Sequence, residues 1–151
     1  MKIAFKKADK GLLDWTITKW TGGPYTHCIM IFNDTSVFEA APFKGCHWKA
    51  SFIYDLSYDY LILNLSDEEE TTIKSFCNKV NGRGYDWTGV LLSQIIPLSI
   101  DEPKRFYCSE LITKCLHKIG LLLDIKPTAT NPANLIRLLN IETIGTKYKV
   151  K

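Results

Sequence analysis

The chain lacks any apolar run long enough to cross a membrane. Its longest apolar stretches, such as GVLLSQIIPL at 89–98, are short of the roughly 18 residues a span needs and are broken by polar side chains. No transmembrane segment is expected. There is also no block of Lys and Arg. The formal charge is only +3, and Lys6–Lys7 and the lysines of 147–151 read as solvated termini. Nucleic acid is therefore not an expected partner. The first residues, MKIAFKKADKG, show neither a long apolar core nor a small-residue cleavage site. No secretory leader is expected, and a cytoplasmic location is. No CxxC pair occurs among the cysteines at 28, 46, 77, 108 and 115, and their number is odd. The histidines at 27, 47 and 117 show no paired ligand spacing with them. A disulfide framework and a metal site are both unexpected, and no cofactor is called for. NGRGYDW (81–87) is glycine-rich, but no G-K-[ST] follows, so it is not a phosphate loop.

What is present is an ordinary globular composition. A length of 151 residues with 46% hydrophobic content supports one domain with its own core, expected to act as a monomer. Residues 9–20 suggest a short helix with Leu13, Ile17 and Trp20 on one face, broken by TGGP. YTHCIMIF (25–32) and SVFEAA (36–41) read as two strands joined across Asn33-Asp34, which makes a hairpin. Residues 42–58 read as a loop with a short strand near Ser51–Tyr54, and DYLILNL (59–65) as a third strand. Ser66 with Glu69 forms the S-x-x-E capping box of a helix whose stripe is Ile73, Phe76, Cys77 and Val80. Further helices are expected over 86–96, over 108–119 and from the Asn131-Pro132 cap into ANLIRLLN. TIGTKYKV suggests an edge strand. The class is α+β, an antiparallel sheet packed against helices in a single domain over 1–151.

Chemistry is sought among the cysteines and histidines. A thiol nucleophile needs a base, and usually a third group that orients the base. Cys77 and Cys115 fall in mid-helix apolar stripes, where free cysteine behaves as a small hydrophobe. Cys108 alone falls at a helix start. There the dipole and the unpaired amides favour a thiolate and can receive an oxyanion, with Ser109 as a candidate cap. From RFYCSELITKCLHKIG alone, Cys108 is either a nucleophile or the first residue of a buried stripe.

His27 alternates with Cys28 along its strand, so it shares a face with Ile29 and Ile31. Glu39 lies in the next strand. With a three-residue loop, Asn33–Thr35, His27 and Glu39 become diagonal neighbours about 7–8 Å apart at the backbone. A five-residue loop would oppose them directly, and an even loop would put them on opposite faces. A carboxylate beside an imidazole fixes its tautomer. The plainer alternative is a solvated Glu39 and a half-buried His27. His47 reads as a loop histidine and His117 as a surface residue near a helix C-terminus. Trp15, Trp20, Trp48 and Trp87 read as core or rim packing.

Together, Y-T-H-C-I-M-I-F, V-F-E-A-A, G-Y-D-W and F-Y-C-S-E-L-I resemble the circularly permuted branch of the NlpC/P60 papain-like superfamily, including the YiiX/YebB-like proteins. In that branch the His strand precedes the Cys helix, as here, and the likeness spans about Gly11 to Gly120. It implies a papain-like fold of permuted topology. Cys108 would be the nucleophile, His27 the base and Glu39 the orienting residue. Tyr25, Tyr85 and Asp86 would support the cleft. The implied activity is that of a cysteine peptidase, amidase or acyltransferase, breaking an amide or ester bond through an acyl-enzyme. The substrate would be a small molecule, a peptide or an acyl-lipid. Two departures from the family count against a cell-wall substrate: no leader and no added wall-binding module are evident. The competing reading is a non-catalytic peptide- or lipid-binding module on the same fold.

Overall fold

The computed structural model describes residues 1–9, 11, 18–19, 22–86, 105–143 and 149–150. The helices expected over 9–20 and 86–96 lie almost wholly outside these residues, as do Trp15, Trp20 and Trp87. Eight strands are described: β1 (Lys2–Lys7), β2 (Tyr25–Ile31), β3 (Val37–Ala41), β4 (Gly45–Lys49), β5 (Tyr58–Ile62), β6 (Gly84–Tyr85), β7 (Arg105–Phe106) and β8 (Lys149–Val150). The helices are α1 (Asp67–Val80), α2 (Cys108–His117) and α3 (Pro132–Thr143), with a 3-10 turn at Pro127–Ala129. Six strands form one sheet in the order β4-β3-β2-β1-β5-β8, and β6 and β7 form a separate parallel pair. Every pairing in the large sheet is antiparallel. The class is α+β, and the tail does supply an edge strand.

Lys6 and Lys7 are not solvated terminal residues. They end β1, which lies between β2 and β5 inside the sheet. The reason is the alternation before them: Ile3 and Phe5 are fully buried on the helix side, and Ala4 on the other. The short strand expected near Ser51–Tyr54 is also absent. The strand of this region is β4, which ends at Lys49, before Ser51. Phe43 at φ 65° and Gly45 at φ 69° make a tight turn, and Lys44 N–H donates to the Ala41 carbonyl at 3.2 Å. Gly45 is required there. A Cβ would lie 2.1 Å from the Arg83 carbonyl oxygen, to which Cys46 N–H donates at 2.8 Å.

The β2–β3 loop is Asn33–Thr35. Phe32 N–H donates to the Ser36 carbonyl at 2.9 Å, and Thr35 takes the left-handed position (φ 67°) typical of three-residue hairpin loops. The two faces of the sheet then differ. Phe5, Cys28, Met30, Phe38, Ala40 and Cys46 meet α1, α2 and α3 in the main core. Ala4, Ile29, Ile31 and Val37 form a smaller cluster covered by Phe52, Tyr58 and Tyr60. Helix α1 carries its complete capping box: Glu69 N–H donates to Ser66 Oγ at 3.2 Å, and Ser66 N–H to Glu69 Oε2 at 2.7 Å. In α3, Asn134 N–H donates to Asn131 Oδ1 at 2.8 Å, the cap read from Asn131-Pro132.

Helix α2 buries Leu111, Ile112, Cys115 and Leu116 almost completely. Three fully buried aliphatic side chains contribute on the order of 5–9 kcal/mol as an upper bound. The position of Cys108 is therefore set by core packing and not by the site's own polar bonds. Among the described residues, no helix is long and apolar enough to cross a membrane.

Candidate active site

The start of α2 decides how Cys108 is presented. Tyr107 is the extended N-cap residue (φ −100°, ψ 167°), so Cys108 is already the first helical residue. Glu110, three residues past the cap, accepts the Tyr107 N–H and pairs with Lys114 Nζ at 3.0 Å. Ser109 does not cap the helix. It lies inside the first turn, and its Oγ donates to the Thr130 carbonyl at 2.6 Å, tying α2 to the segment before α3. The amides of the first turn point out of the helix end, beside the Cys108 sulfur.

That end packs against β2 and β3. These strands pair at Ile31↔Val37 and Met30↔Phe38 and are not paired beyond. Successive N–H groups on a strand alternate in direction, so Phe32, Met30 and Cys28 all point theirs toward β3. At Cys28 the partner is no longer a strand. The Cys28 backbone and thiol and the His27 imidazole all act on the charge of the Cys108 sulfur. His27 and Cys28 point to opposite faces of β2, yet one sulfur at the opened strand edge reaches both.

These contacts set the charge state. The bond from Cys28, then the attraction of His27, hold the Cys108 thiol well below its ordinary range despite burial. Burial alone would lower His27. The Cys108 thiolate and the Glu39 carboxylate outweigh it and raise His27 to about 9. Cys28 moves the other way: burial and the neighbouring Cys108 charge push its thiol well up, so it stays a neutral donor. The directions of these shifts favour a thiolate–imidazolium pair with a second, neutral thiol beside it.

Glu39 is the third member. His27 Nε2 lies 2.9 Å from Glu39 Oε2, and the carboxylate is 7% exposed. Nε2 is thus the ring nitrogen that faces Glu39. Continuing the β2–β3 register puts Ile29 opposite Glu39 and His27 on the diagonal. That is the geometry of an odd, three-residue loop.

Two further partners of Glu39 come from β4. His47 stands directly across from Glu39, its Nε2 3.5 Å from Oε1, while Nδ1 lies 3.0 Å from the Gly45 carbonyl. Lys49 Nζ is 3.3 Å from Oε1. Burial pushes the Glu39 carboxyl up, but the His27 and Lys49 interactions hold it below its ordinary value. His47 is therefore a strand residue and not the expected loop histidine. The signal was available in GCHWK: Cys46 and Trp48 are the core-facing pair, and His47 and Lys49 alternate with them.

The supporting residues divide. Tyr85 pairs in register with Phe106 across β6–β7, just ahead of α2. Burial, then the charge at Cys108, hold its phenol far above the ordinary range, so it remains a neutral hydroxyl. Asp86 is buried, and its N–H donates to the Phe106 carbonyl at 3.2 Å. Tyr25 goes elsewhere. A bulge in the β1–β2 register, where Lys6 pairs His27 and Lys7 pairs Tyr25, leaves Thr26 as an extra residue. Tyr25 thereby joins the face of Phe5, with ring centroids 5.6 Å apart. Its Oη donates to Asp59 Oδ2 at 2.7 Å, and Lys7 Nζ stands 2.8 Å from Asp59 Oδ1. Burial and Asp59 raise Tyr25 to about 12.

His117 is half-buried and bonds the Leu122 carbonyl through Nε2 at 2.8 Å, where a plain surface residue was expected. All five cysteines are free and buried, and Cys77 and Cys115 touch at 4.0 Å between sulfurs. Among the described residues, no cluster of three or more His, Cys, Asp or Glu side chains is arranged to hold a metal ion. Compared with known proteins, the chain matches no family model and no curated protein.

Proposed function

We propose that this chain is a cysteine-dependent hydrolase or acyltransferase working through an acyl-enzyme on Cys108. One observation carries the reading. A buried sulfur at a helix start is electrostatically coupled to an imidazole whose Nε2 lies 2.9 Å from a buried carboxylate. Core positions need no such arrangement, and a thiol nucleophile does. The order His27, Glu39, Cys108, with the cysteine helix set against a hairpin, also fits the permuted NlpC/P60 branch. A papain-like permuted fold is part of the proposal.

In this mechanism the Cys108 thiolate attacks a carbonyl carbon, and the oxyanion is received by the first-turn amides of α2. The tetrahedral intermediate collapses as imidazolium His27 gives its proton to the departing amine or alcohol. An acyl-thioester remains on Cys108. His27, now neutral, takes a proton from water or from another acceptor, which displaces the acyl group and restores the thiolate. Glu39 keeps Nε2 protonated throughout, so Nδ1 performs both transfers. The substrate class is a small molecule, peptide or acyl-lipid with an amide or ester bond. Five free thiols suit a reducing, cytoplasmic compartment. All three residues come from one chain, which suits a monomer.

The test is alkylation by iodoacetamide across pH, with the label mapped by mass spectrometry. Cys108 is expected to react first, with a midpoint well below the ordinary 9.0 that is lost in His27→Ala. Equal labelling of all cysteines, or none at Cys108, overturns the enzyme reading and leaves the binding module.

A further inference from the structure

The two oxygens of Glu39 serve different strands. Oε2 faces His27 on β2 at 2.9 Å, and Oε1 faces Lys49 at 3.3 Å and His47 at 3.5 Å on β4. A triad carboxylate with one partner would not need the second pair. The two β4 groups also differ in kind. A carbonyl oxygen only accepts, so the His47 nitrogen facing Gly45 O carries the proton. The His47 nitrogen facing Glu39 is then a donor only when the ring is doubly protonated. The Lys49 ammonium is a donor whichever form His47 takes.

We propose that Lys49 is a positioning residue of the Cys108–His27–Glu39 site, acting through Glu39 Oε1 to keep the carboxylate an anion whatever the state of His27. This inference rests on the cysteine-nucleophile reading and deepens it. A buried carboxylate whose sole partner is an imidazole can take the imidazole's proton, because burial penalises the charged pair. Glu39 would then become a donor to Nε2. The ring would be forced into the opposite tautomer, with Nδ1–H toward the sulfur and no base there. A fixed positive charge on the far oxygen removes that alternative. Register supports the assignment. Val37 pairs Lys49, so Lys49 stands diagonal to Glu39 on the outer face, and its ammonium end is partly exposed and needs little desolvation. The titratable and charged groups around this carboxylate are His27 from β2, His47 and Lys49 from β4, and Tyr58 from β5, whose hydroxyl feels the Glu39 charge. Beyond His27, on α2, stands Cys108.

Lys49→Met keeps the aliphatic stem and removes the charge. The Cys108 alkylation midpoint is expected to move up in this variant, with labelling at acid pH falling about tenfold for each unit the midpoint rises. Labelling at alkaline pH stays unchanged. Lys49→Arg, which keeps the charge, is expected to restore the low midpoint. Lys49→Gln carries the same expectation as Lys49→Met and replaces it if that variant loses its cooperative thermal transition. An unshifted midpoint in a folded Lys49→Met or Lys49→Gln protein overturns the inference, as does a shift that His47→Gln produces and the Lys49 variants do not. Failure of the underlying reading has a different signature: an ordinary wild-type midpoint that His27→Ala does not move. A low wild-type midpoint lost in His27→Ala but indifferent to Lys49 leaves the nucleophile standing and removes Lys49 alone.

Discussion

Cys108 and Cys115 sit on the same helix, seven residues apart, and both are buried. Their thiols are driven in opposite directions. Burial, with Cys77 beside it, pushes Cys115 well above the ordinary range, while Cys108 is held well below it. Burial alone raises a thiol, so burial does not separate them. The difference is what each meets. Cys115 faces the Cys77 sulfur at 4.0 Å in the core shared with Leu111, Leu116 and Ile73. Cys108 lies beside Cys28 and His27, whose interactions favour its charged form. A helix start next to such neighbours favours the thiolate of a core-like cysteine.

The largest expected effect breaks the comparison outright. Cys108→Ser should abolish selective labelling and reduce any acyl transfer by at least about 10³-fold. Cys115→Ser should leave both within a few-fold, as read by labelling and turnover of the same substrate. Next, His27→Ala should make Cys108 resemble Cys115. Its alkylation midpoint should rise to the ordinary thiol range or above, with labelling at neutral pH down about 10²-fold. Glu39→Gln should fall between, near tenfold, because Gln still accepts from His27 but carries no charge.

A fourth expectation concerns stability against pH. His27 is raised from 6.5 to about 9, so its share is complete below 6.5 and lost as pH rises through about 9. Cys108 is lowered from 9.0, so its share is complete above 9.0 and lost as pH falls. Between 6.5 and 9 the two trends offset, because folded and unfolded chains each hold one proton on the pair. Below 6.5 the unfolded chain holds two and the folded chain one, so acid weakens the fold. Urea denaturation at stepped pH should show that acid slope in wild type and less of it in Cys108→Ser. The smallest effect is on packing alone. Cys115→Ala should cost about 1–2 kcal/mol with no change in the Cys108 profile. A profile that did move would show that the two cysteines are not independent.

Much of the framework was legible in local pattern. Ser66 and Glu69 announce α1, Asn131-Pro132 announces α3, and Asn33-Asp34 announces the β2–β3 hairpin, whose odd loop the structure then supplies. These depend on spacing and backbone chemistry within a few residues. The misses share another cause. β1 was hidden because Lys6-Lys7 suggested a solvated end, and a pairing with β2 and β5 leaves no local mark. His47 and Lys49 were misplaced because the turn before β4 depends on Gly45 fitting against Arg83, 38 residues later in chain order. Tyr25 left the face of His27 because a bulge at Thr26 reset the alternation. Ser109 looked like a cap, and only the position of Tyr107 showed which residue ends the extended chain.

By itself the sequence determined which residue types were available and where local periodicity put them: a cysteine opening a helix, a histidine and a glutamate on successive strands, no metal-ligand spacing. Tertiary structure alone decided that β2 and β3 pair only at Ile31/Val37 and Met30/Phe38, and that the Cys108 sulfur is coupled to both His27 and Cys28. It alone decided that Glu39 is held from two strands at once. The physical reason is range. Periodicity and capping are governed by neighbours within a turn or a strand pair, whereas a thiolate and a buried carboxylate are set by charges and donors that only folding brings within a few ångströms.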